Sequence, residues 1–341
     1  MGIIRLGTRR SALATAQAGI IARELERISG RPVELVEITS EGDVNRASLA
    51  SLGGTGVFAT RLREALAAGE CDVLVHSLKD LPVAPAPGLV IAATPSRADA
   101  RDVSITRDGT PLAELPAGST VGTGSPRRAA QVRRVNPGLE VRDLRGNVDS
   151  RMSRVRDGEL DAVILASAGL DRYRPGEGRA AALRGLVAEP LELDQWPTAA
   201  GQASLAVEIR DDAHPQLRAW VAELDDPETR FAVELERAVL GGIEAGCHAP
   251  VGVHAEIDEG WLQVCAVVFG DARPDDVVAA HVDHLQGFEK QIAEYIQVRD
   301  SGAAVDSAGL LARASEIGDG LARRLLDNGA AEIVTREVSP S

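Results

Sequence analysis

Residues 71–82 read CDVLVHSLKDLP. The unbroken apolar run Val73-Leu74-Val75 has the character of a buried strand of a parallel sheet. It stops at a polar cluster of His76, Ser77, Lys79 and Asp80, and Pro82 closes the segment. Two readings account for a lysine and a carboxylate at the end of a buried strand. One is a surface turn carrying a salt bridge; the other is a ligand site at a sheet edge.

The flanking sequence favours the sheet. Ile3–Gly7 reads as a strand, and Ser11–Ile28 as an amphipathic helix with Leu13, Ile20, Ile21, Leu25 and Ile28 near helical spacing. Val33–Thr39 is a second strand, Phe58–Ala68 a helix, and Asp72–His76 the third strand. This β-α-β-α-β order predicts a parallel sheet with helices on both faces. Two apolar runs between 89 and 106, LVIAAT and DVSIT, lead into a second unit. There the pattern repeats: strand STVGTG, a helix from Ser125, strand LEVRDL, a helix from Asn147 and a strand over 160–167. A loop from Trp196 to Gly201 and the run SLAVEIR supply one more strand, and 214–240 is helical. Beyond Gly241 come strands at 251–257 and 261–269 and a helix-rich tail. The expected class is α/β, with two similar lobes of mainly parallel sheet and a smaller C-terminal α/β domain. Residues 1–97 with 196–213 form the first lobe, 98–195 the second, and 214–341 the C-terminal domain.

Composition narrows the function. The chain has 341 residues, 44% hydrophobic and 26% charged, as soluble globular proteins do. No stretch has the length of uninterrupted apolar residues a membrane span needs, and residues 1–30 lack a signal-peptide layout, so the expectation is cytoplasmic. Cys71, Cys247 and Cys265 are too few and too widely spaced for a disulfide framework or a zinc site. A net charge of −14 argues against a nucleic-acid binder, and nine aromatic residues (four Phe, three Trp, two Tyr) offer few stacking platforms. Yet nine arginines against three acids lie between Arg127 and Arg156. A basic island in an acidic chain suits a small polyanion. Lysine occurs only at 79 and 290, so Lys79 stands out.

In open parallel sheets, ligands bind beyond the carboxyl ends of the strands. Those ends carry Arg9, Arg10 and Ser11; Ser77, Lys79 and Asp80; Ser125, Arg127 and Arg128; and Arg145, Gly146 and Asn147. Four strand ends from two lobes thus point to an interlobe cleft that receives anions. In TGSPRR, Ser125 fits a helix cap and Pro126 the first helical position, leaving N–H groups that attract anions. Arg127 and Arg128 add forked donors for carboxylate or phosphate. No GxGxxG or Walker loop is present. Asp80 is either a neutralising counter-ion or an acid-base group that stabilises a cation formed in reaction. Cys71 and Cys265 read as core residues. Cys247, in the turn-like EAGCHAP, is a candidate nucleophile or covalent attachment point.

The motifs HSLKDLP, VGTGSPRRAAQ, LRGNVDSR, ILASAGLDR and ERAVLGGIEAGCHAPVG, in this order, resemble the porphobilinogen deaminase (hydroxymethylbilane synthase) family over about residues 3–255, and more weakly to about 335. The resemblance implies two periplasmic-binding-protein-like lobes and a small third domain. It also implies a reaction, the head-to-tail joining of four porphobilinogen molecules with loss of ammonia to give hydroxymethylbilane. A dipyrromethane cofactor would be held by a thioether on Cys247, and Asp80 would be the catalytic carboxylate beside the electron-poor azafulvene. Motif matching assigns cofactor contacts to Ser77, Lys79, Asp80, Thr123, Ser125, Arg127, Arg128 and Arg145, and substrate contacts to Arg9, Gln17, Arg145, Arg151 and Arg172. No metal is implied, and the family expectation is a monomer. The Gly/Ser-rich segment 42–57 reads as a lid, with Thr55 and Thr60 where relatives place lysines. GQAS at 201–204 and Pro126 also depart from the usual pattern, and 270–310 has no assignment. The alternative is a non-catalytic two-lobed module for anions or other solutes.

Overall fold

The computed structural model describes residues 2–39, 56–173, 176, 178–243, 250–270, 277–285, 289–300 and 308–333. The segment 42–55, Thr55 and Cys247 therefore lie outside the described residues.

The first sheet begins with β1 (Ile4–Arg9), α1 (Ala12–Ser29), β2 (Val33–Ile38), α2 (Gly56–Ala67) and β3 (Val73–Ser77). Ser11 caps α1 by accepting from the Ala14 N–H, and Gly30 ends it in the left-handed conformation. Ala18, Ile21, Ala22 and Leu25 recur at helical spacing and are buried against the sheet. On β3, Val73 and Val75 meet that α1 layer, whereas Leu74 packs with Leu62, Ala65 and Leu66 of α2. Both faces are covered, which is why the run is apolar without alternation.

Next come β4 (Leu89–Ala93), β5 (Asp102–Thr106), β6 (Thr120–Gly122), α3 (Pro126–Val135), β7 (Glu140–Arg142), α4 (Val148–Arg156), β8 (Ala162–Ala166), α5 (Ser167–Tyr173), α6 (Gly178–Leu183), β9 (Val187–Leu191) and β10 (Leu205–Arg210). The two large sheets have the orders β2-β1-β3-β10-β4 and β7-β6-β8-β5-β9. Each has parallel pairs on one side and one strand, β10 or β5, that pairs antiparallel with both its neighbours. The two sheets therefore share one topology, with four of five strands pointing the same way in each. Those reversed strands were not foreseen from the sequence. They arise where the chain crosses between the sheets, along 94–101 outward and 192–204 on the return.

The helical stretch expected over 214–240 is two helices, α7 (Pro215–Ala222) and α8 (Pro227–Gly242), the latter capped by Asp226 and started by Pro227. A three-stranded antiparallel sheet follows, β11 (Val251–Asp258), β12 (Trp261–Phe269) and β13 (Val277–Leu285), then α9 (Glu289–Asp300) and α10 (Ala308–Asp327). β13 replaces part of what the sequence reading left to a helix-rich tail. Val251, Val253 and Ala255, with Leu262, Val264, Ala266 and Val268, form one core with α8 and α10. Among the described residues no helix is long and apolar enough to cross a membrane.

Both crossing segments are gripped by α8. The fully buried carboxylate of Glu236 accepts from Arg97 Nη1 and Nη2 at 2.7 and 3.2 Å, from Gly201 N at 2.6 Å and from Ala255 N at 2.8 Å. Arg97 Nε in turn donates to Gln202 O at 2.9 Å. Removing one partner of a buried pair leaves an uncompensated charge. Glu236→Ala is expected to lower the free energy of unfolding by about 3–5 kcal/mol, measured by denaturant titration; a loss below about 1 kcal/mol, the value of an exposed pair, would contradict this account.

Candidate functional site

β3 runs straight into a single turn of 3₁₀ helix, Leu78–Asp80, before the proline-rich loop. Leu78 anchors the turn: its side chain is 1% exposed and its N–H donates to Ser204 O at 3.0 Å. Burying a leucine of this kind is worth about 1.5–3 kcal/mol. Gly201 makes room for it, since a Cβ there would lie 2.9 Å from Leu78 Cγ, and its φ of +71° lies in the left-handed region that favours glycine. With Leu78 pinned inward, Asp80 is exposed at the tip of the turn and Lys79 is half-buried. Beside it, Ser77 and the buried Gln17 of α1 exchange a hydrogen bond at 3.1–3.2 Å. Arg9 ends β1, the neighbouring parallel strand, at the same edge of the sheet.

The loop after β6 supplies the second wall. Thr123 is buried, its N–H donating to Arg142 O and its Oγ1 accepting from Ser125 N at 3.2 Å. Ser125 caps α3 through the Arg128 N–H and Pro126 holds the first helical position, as the motif predicted. A Cβ at Gly124 would lie 2.8 Å from Leu144 O, so glycine lets this loop close onto the LRGN loop. Asn147 caps α4, and Arg151, one turn on, donates from Nε to Gly146 O at 2.8 Å. Arg145 is exposed, 3.6 Å from Asp143.

Arg127 and Arg128 are buried rather than presented on a solvated helix face. Both turn to Asp102, the first residue of β5, a residue that the strand-end argument passed over. Its carboxylate, 0% exposed, accepts from Arg127 Nη2 at 2.9 Å, Arg128 Nε and Nη2 at 3.1 and 2.6 Å, Trp196 Nε1 at 3.0 Å and Gln202 Nε2 at 2.8 Å. Burial by itself would favour the neutral acid, but the charges of Arg128 and Arg127 override it and hold the group ionised, far below the usual carboxylate range. Gln202 then completes a link between the lobes, because its Oε1 accepts from Lys79 Nζ at 3.2 Å. Burial, followed by repulsion from Arg128, pulls the Lys79 ammonium down to about 8, against the attraction of Asp80 and Asp102.

Arg151 is lowered chiefly by burial, then by repulsion from Arg128 and Arg145, and steadied by Asp143 and by Asp80 of the opposite sheet. Lys79 of the first sheet and Arg128 of the second are thus brought to one cluster by Gln202 and Asp102. Arg172 donates from Nη2 to Ala203 O at 2.7 Å, on the return crossing segment next to Gln202. Several other arginines of the basic island are spent on acids away from this cluster, with Arg142 on exposed Glu140, Arg154 on exposed Glu159 and Arg156 on half-buried Asp149. Besides Asp102, Trp196 and Gln202, sequence reasoning missed Arg237 of α8, whose guanidinium donates to the carbonyls of Leu81, Pro82 and Val83 at 2.8–3.3 Å. It fixes the chain just past Asp80. Cys71 is a buried core thiol pushed up to about 11 by burial, whereas Cys265 is half-buried. A separate cavity of about 820 Å³ lies between 96–101 and the third sheet, lined by Arg97, Arg101, His254 and Glu256, and holds none of the predicted site residues.

Comparison with known proteins gives the family of the chain. The family model described as "Porphobilinogen deaminase, dipyromethane cofactor binding domain" matches residues 4–218, and "Porphobilinogen deaminase, C-terminal domain" matches 230–278. A porphobilinogen deaminase of Leifsonia xyli is 48% identical over 338 residues, 97% of this chain and 94% of its own length. Porphobilinogen deaminase 1 of Streptomyces coelicolor is 52% identical over 258 residues, covering 74% of this chain and 78% of its own. Among solved structures, the ligand-binding component of an ABC-type import system from Staphylococcus aureus aligns over 70% of this chain and 77% of its own, at 12% identity and a TM-score of 0.40. With nearly its whole length matched at this identity, the chain belongs to the porphobilinogen deaminase family.

Proposed function

We propose that, in the hydroxymethylbilane synthase reaction of this family, Asp80 is the catalytic group. Lys79, Ser77, Asp80, Thr123, Ser125, Arg127, Arg128 and Arg145 hold the dipyrromethane cofactor on Cys247. Arg9, Gln17, Arg145, Arg151 and Arg172 hold the incoming porphobilinogen. The observation that carries this reading is that Lys79, the residue before Asp80 on one sheet, is joined through Gln202 to the Asp102 carboxylate that gathers Arg127 and Arg128 on the other.

The residues fit a polycarboxylate. Three buried or half-buried cations, Lys79, Arg127 and Arg128, surround the single buried anion Asp102, so the cluster keeps an excess of positive charge. Lys79 uses one hydrogen bond within the described residues, and Arg127 Nε is buried with no partner. Acetate and propionate arms match such donors. Bound on Cys247, the dipyrromethane supplies the primer to which pyrroles are added. Asp80 as an acid hands a proton to the departing amine of the substrate, and as a carboxylate it faces the electron-poor pyrrole that remains. The arginines fix the acidic arms so that the reacting carbons stay aligned.

In this reading residues 1–97 with 196–213 and 98–195 are the two lobes, and 214–341 is the domain that bears the tether. The protein acts as a cytoplasmic monomer on porphobilinogen, without nucleic acid or membrane, in keeping with a net charge of −14. The match to a cofactor-binding domain over 4–218 weighs against the non-catalytic module.

Three outcomes test the assignment. The purified chain is expected to exceed its sequence mass by two linked pyrroles in intact mass spectrometry, and Cys247→Ala to lose that increment; an unmodified, fully active protein would contradict the tether. Asp80→Ala is expected to reduce kcat by about 10²–10⁴-fold with an unchanged unfolding transition, since the side chain is exposed; a normal rate removes it from the mechanism. Arg145→Leu is expected to raise KM by about tenfold or more while leaving stability intact, and an unaltered KM removes it from the site.

A further inference from the structure

Gln202 departs from its surroundings in one respect. It is 1% exposed, lies on the return crossing segment, and spends its side chain on three different parts of the molecule. Oε1 accepts from Lys79 of the first sheet; Nε2 donates to Ala100 O on the outward crossing segment and to Asp102 of the second sheet, each at 2.8 Å. Its own backbone carbonyl is taken by Arg97, and the preceding N–H by Glu236. Backbone and side chain are therefore held from five directions at the point where the chain passes between lobes.

We propose that Gln202 is a positioning residue that fixes Lys79 to the Asp102–Arg128 cluster across the pivot, so that the cationic grip nearest the crossing segments stays assembled while groups farther out, such as Arg145, separate as the bound chain lengthens. A rotation about two crossing segments displaces a group in proportion to its distance from them. Lys79 and Asp102 are one side chain apart through Gln202, which places both near the axis. Arg145 is exposed at the rim and has no bond to either segment among the described residues. The grip and the rim thus have different tolerances for motion, and one amide sets the boundary between them. Lys79 faces Asp80, Arg127, Arg128 and Asp102, and Gln202 is its neutral acceptor. An acceptor for the ammonium favours the charged form, so loss of the amide oxygen lowers the lysine's titration, and a carboxylate in its place raises it.

This inference rests on the placing of Lys79 at the cofactor, and the test separates the two. Because Lys79 and Lys290 are the chain's two lysines, trace acylation with acetic anhydride between pH 6 and 11, read by peptide mass spectrometry, reports Lys79 directly on the full chain. Gln202→Met is expected to move its titration to lower pH by about half a unit or more, and Gln202→Glu to higher pH by a similar amount. The alkaline limb of kcat/KM is expected to follow in the same two directions, because protonated Lys79 is the gripping form. Gln202→Met is also expected to reduce kcat/KM by about tenfold or more at neutral pH. A merely structural role would lower the unfolding temperature and leave the Lys79 titration where it was. Coincident titrations in the parent and both variants overturn the proposal. Lys79→Met gives the control: loss of the alkaline limb supports the placing of Lys79 at the cofactor even if Gln202 fails, whereas a retained limb with full cofactor loading by intact mass overturns that placing and the proposal together.

Discussion

One buried carboxylate organises the site. Asp102 is without solvent and receives five N–H donors from two separate stretches of chain: α3, and the return crossing segment through Trp196 and Gln202. An ion removed from water this completely is tolerated only when its partners are charged and well aligned. Here two guanidiniums supply the charge, and Trp196 and Gln202 bring the return crossing segment to the same point. Arg127 extends the clamp, donating to Gln131 Oε1 at 2.6 Å and to Pro197 O at 3.1 Å. The charge balance is deliberately incomplete in its effect. Two arginines and a lysine around one aspartate leave a local excess of positive potential where burial strengthens every Coulombic interaction. That excess is the property an anionic ligand would neutralise.

The duplicated topology explains why Asp102 stands there. In each large sheet the parallel strands end at one edge, and the reversed strand begins at the same edge. Asp102 pairs with Ala166 at the end of β8, and Leu205 pairs with Ser77 at the end of β3. The crossing segments run directly into β5 and β10, so the links between the two sheets and the Asp102 cluster are built from consecutive residues.

Much of this was legible in the sequence. The continuous apolar run at 73–75 gave a doubly covered strand, the Ser125-Pro126 pair gave a helix start, and Asn147 gave a second one, all for local reasons that act within a few residues. What was not legible required direction. Reading strand ends as ligand positions works for parallel strands; Asp102 and Gln202 sit before strands, the wrong end until β5 and β10 are known to be reversed. Arg127 and Arg128 were rightly singled out as a pair, but their burial depends on an acid about 25 residues earlier in the chain and no periodicity reveals that. β13 was lost for a similar reason. Its sequence VVAAHVDHL alternates weakly, and its pairing with β12 carries a register shift between Leu262 and Val264.

The third sheet packs on α8, and that helix also reaches the edge of the first sheet where Asp80 stands. Adjacent residues on that helix reach in two directions. Glu236 binds both crossing segments, and Arg237 binds the three carbonyls that follow Asp80. Burial lowers the Arg237 guanidinium, but three carbonyl acceptors satisfy its donors. The same helix ends at Gly242, only a few residues before Cys247. One helix thus holds both crossing segments and the three carbonyls that follow Asp80. A displacement of α8 would strain all of these bonds at once, which ties the core of the third sheet to the sheet edge where Asp80 stands.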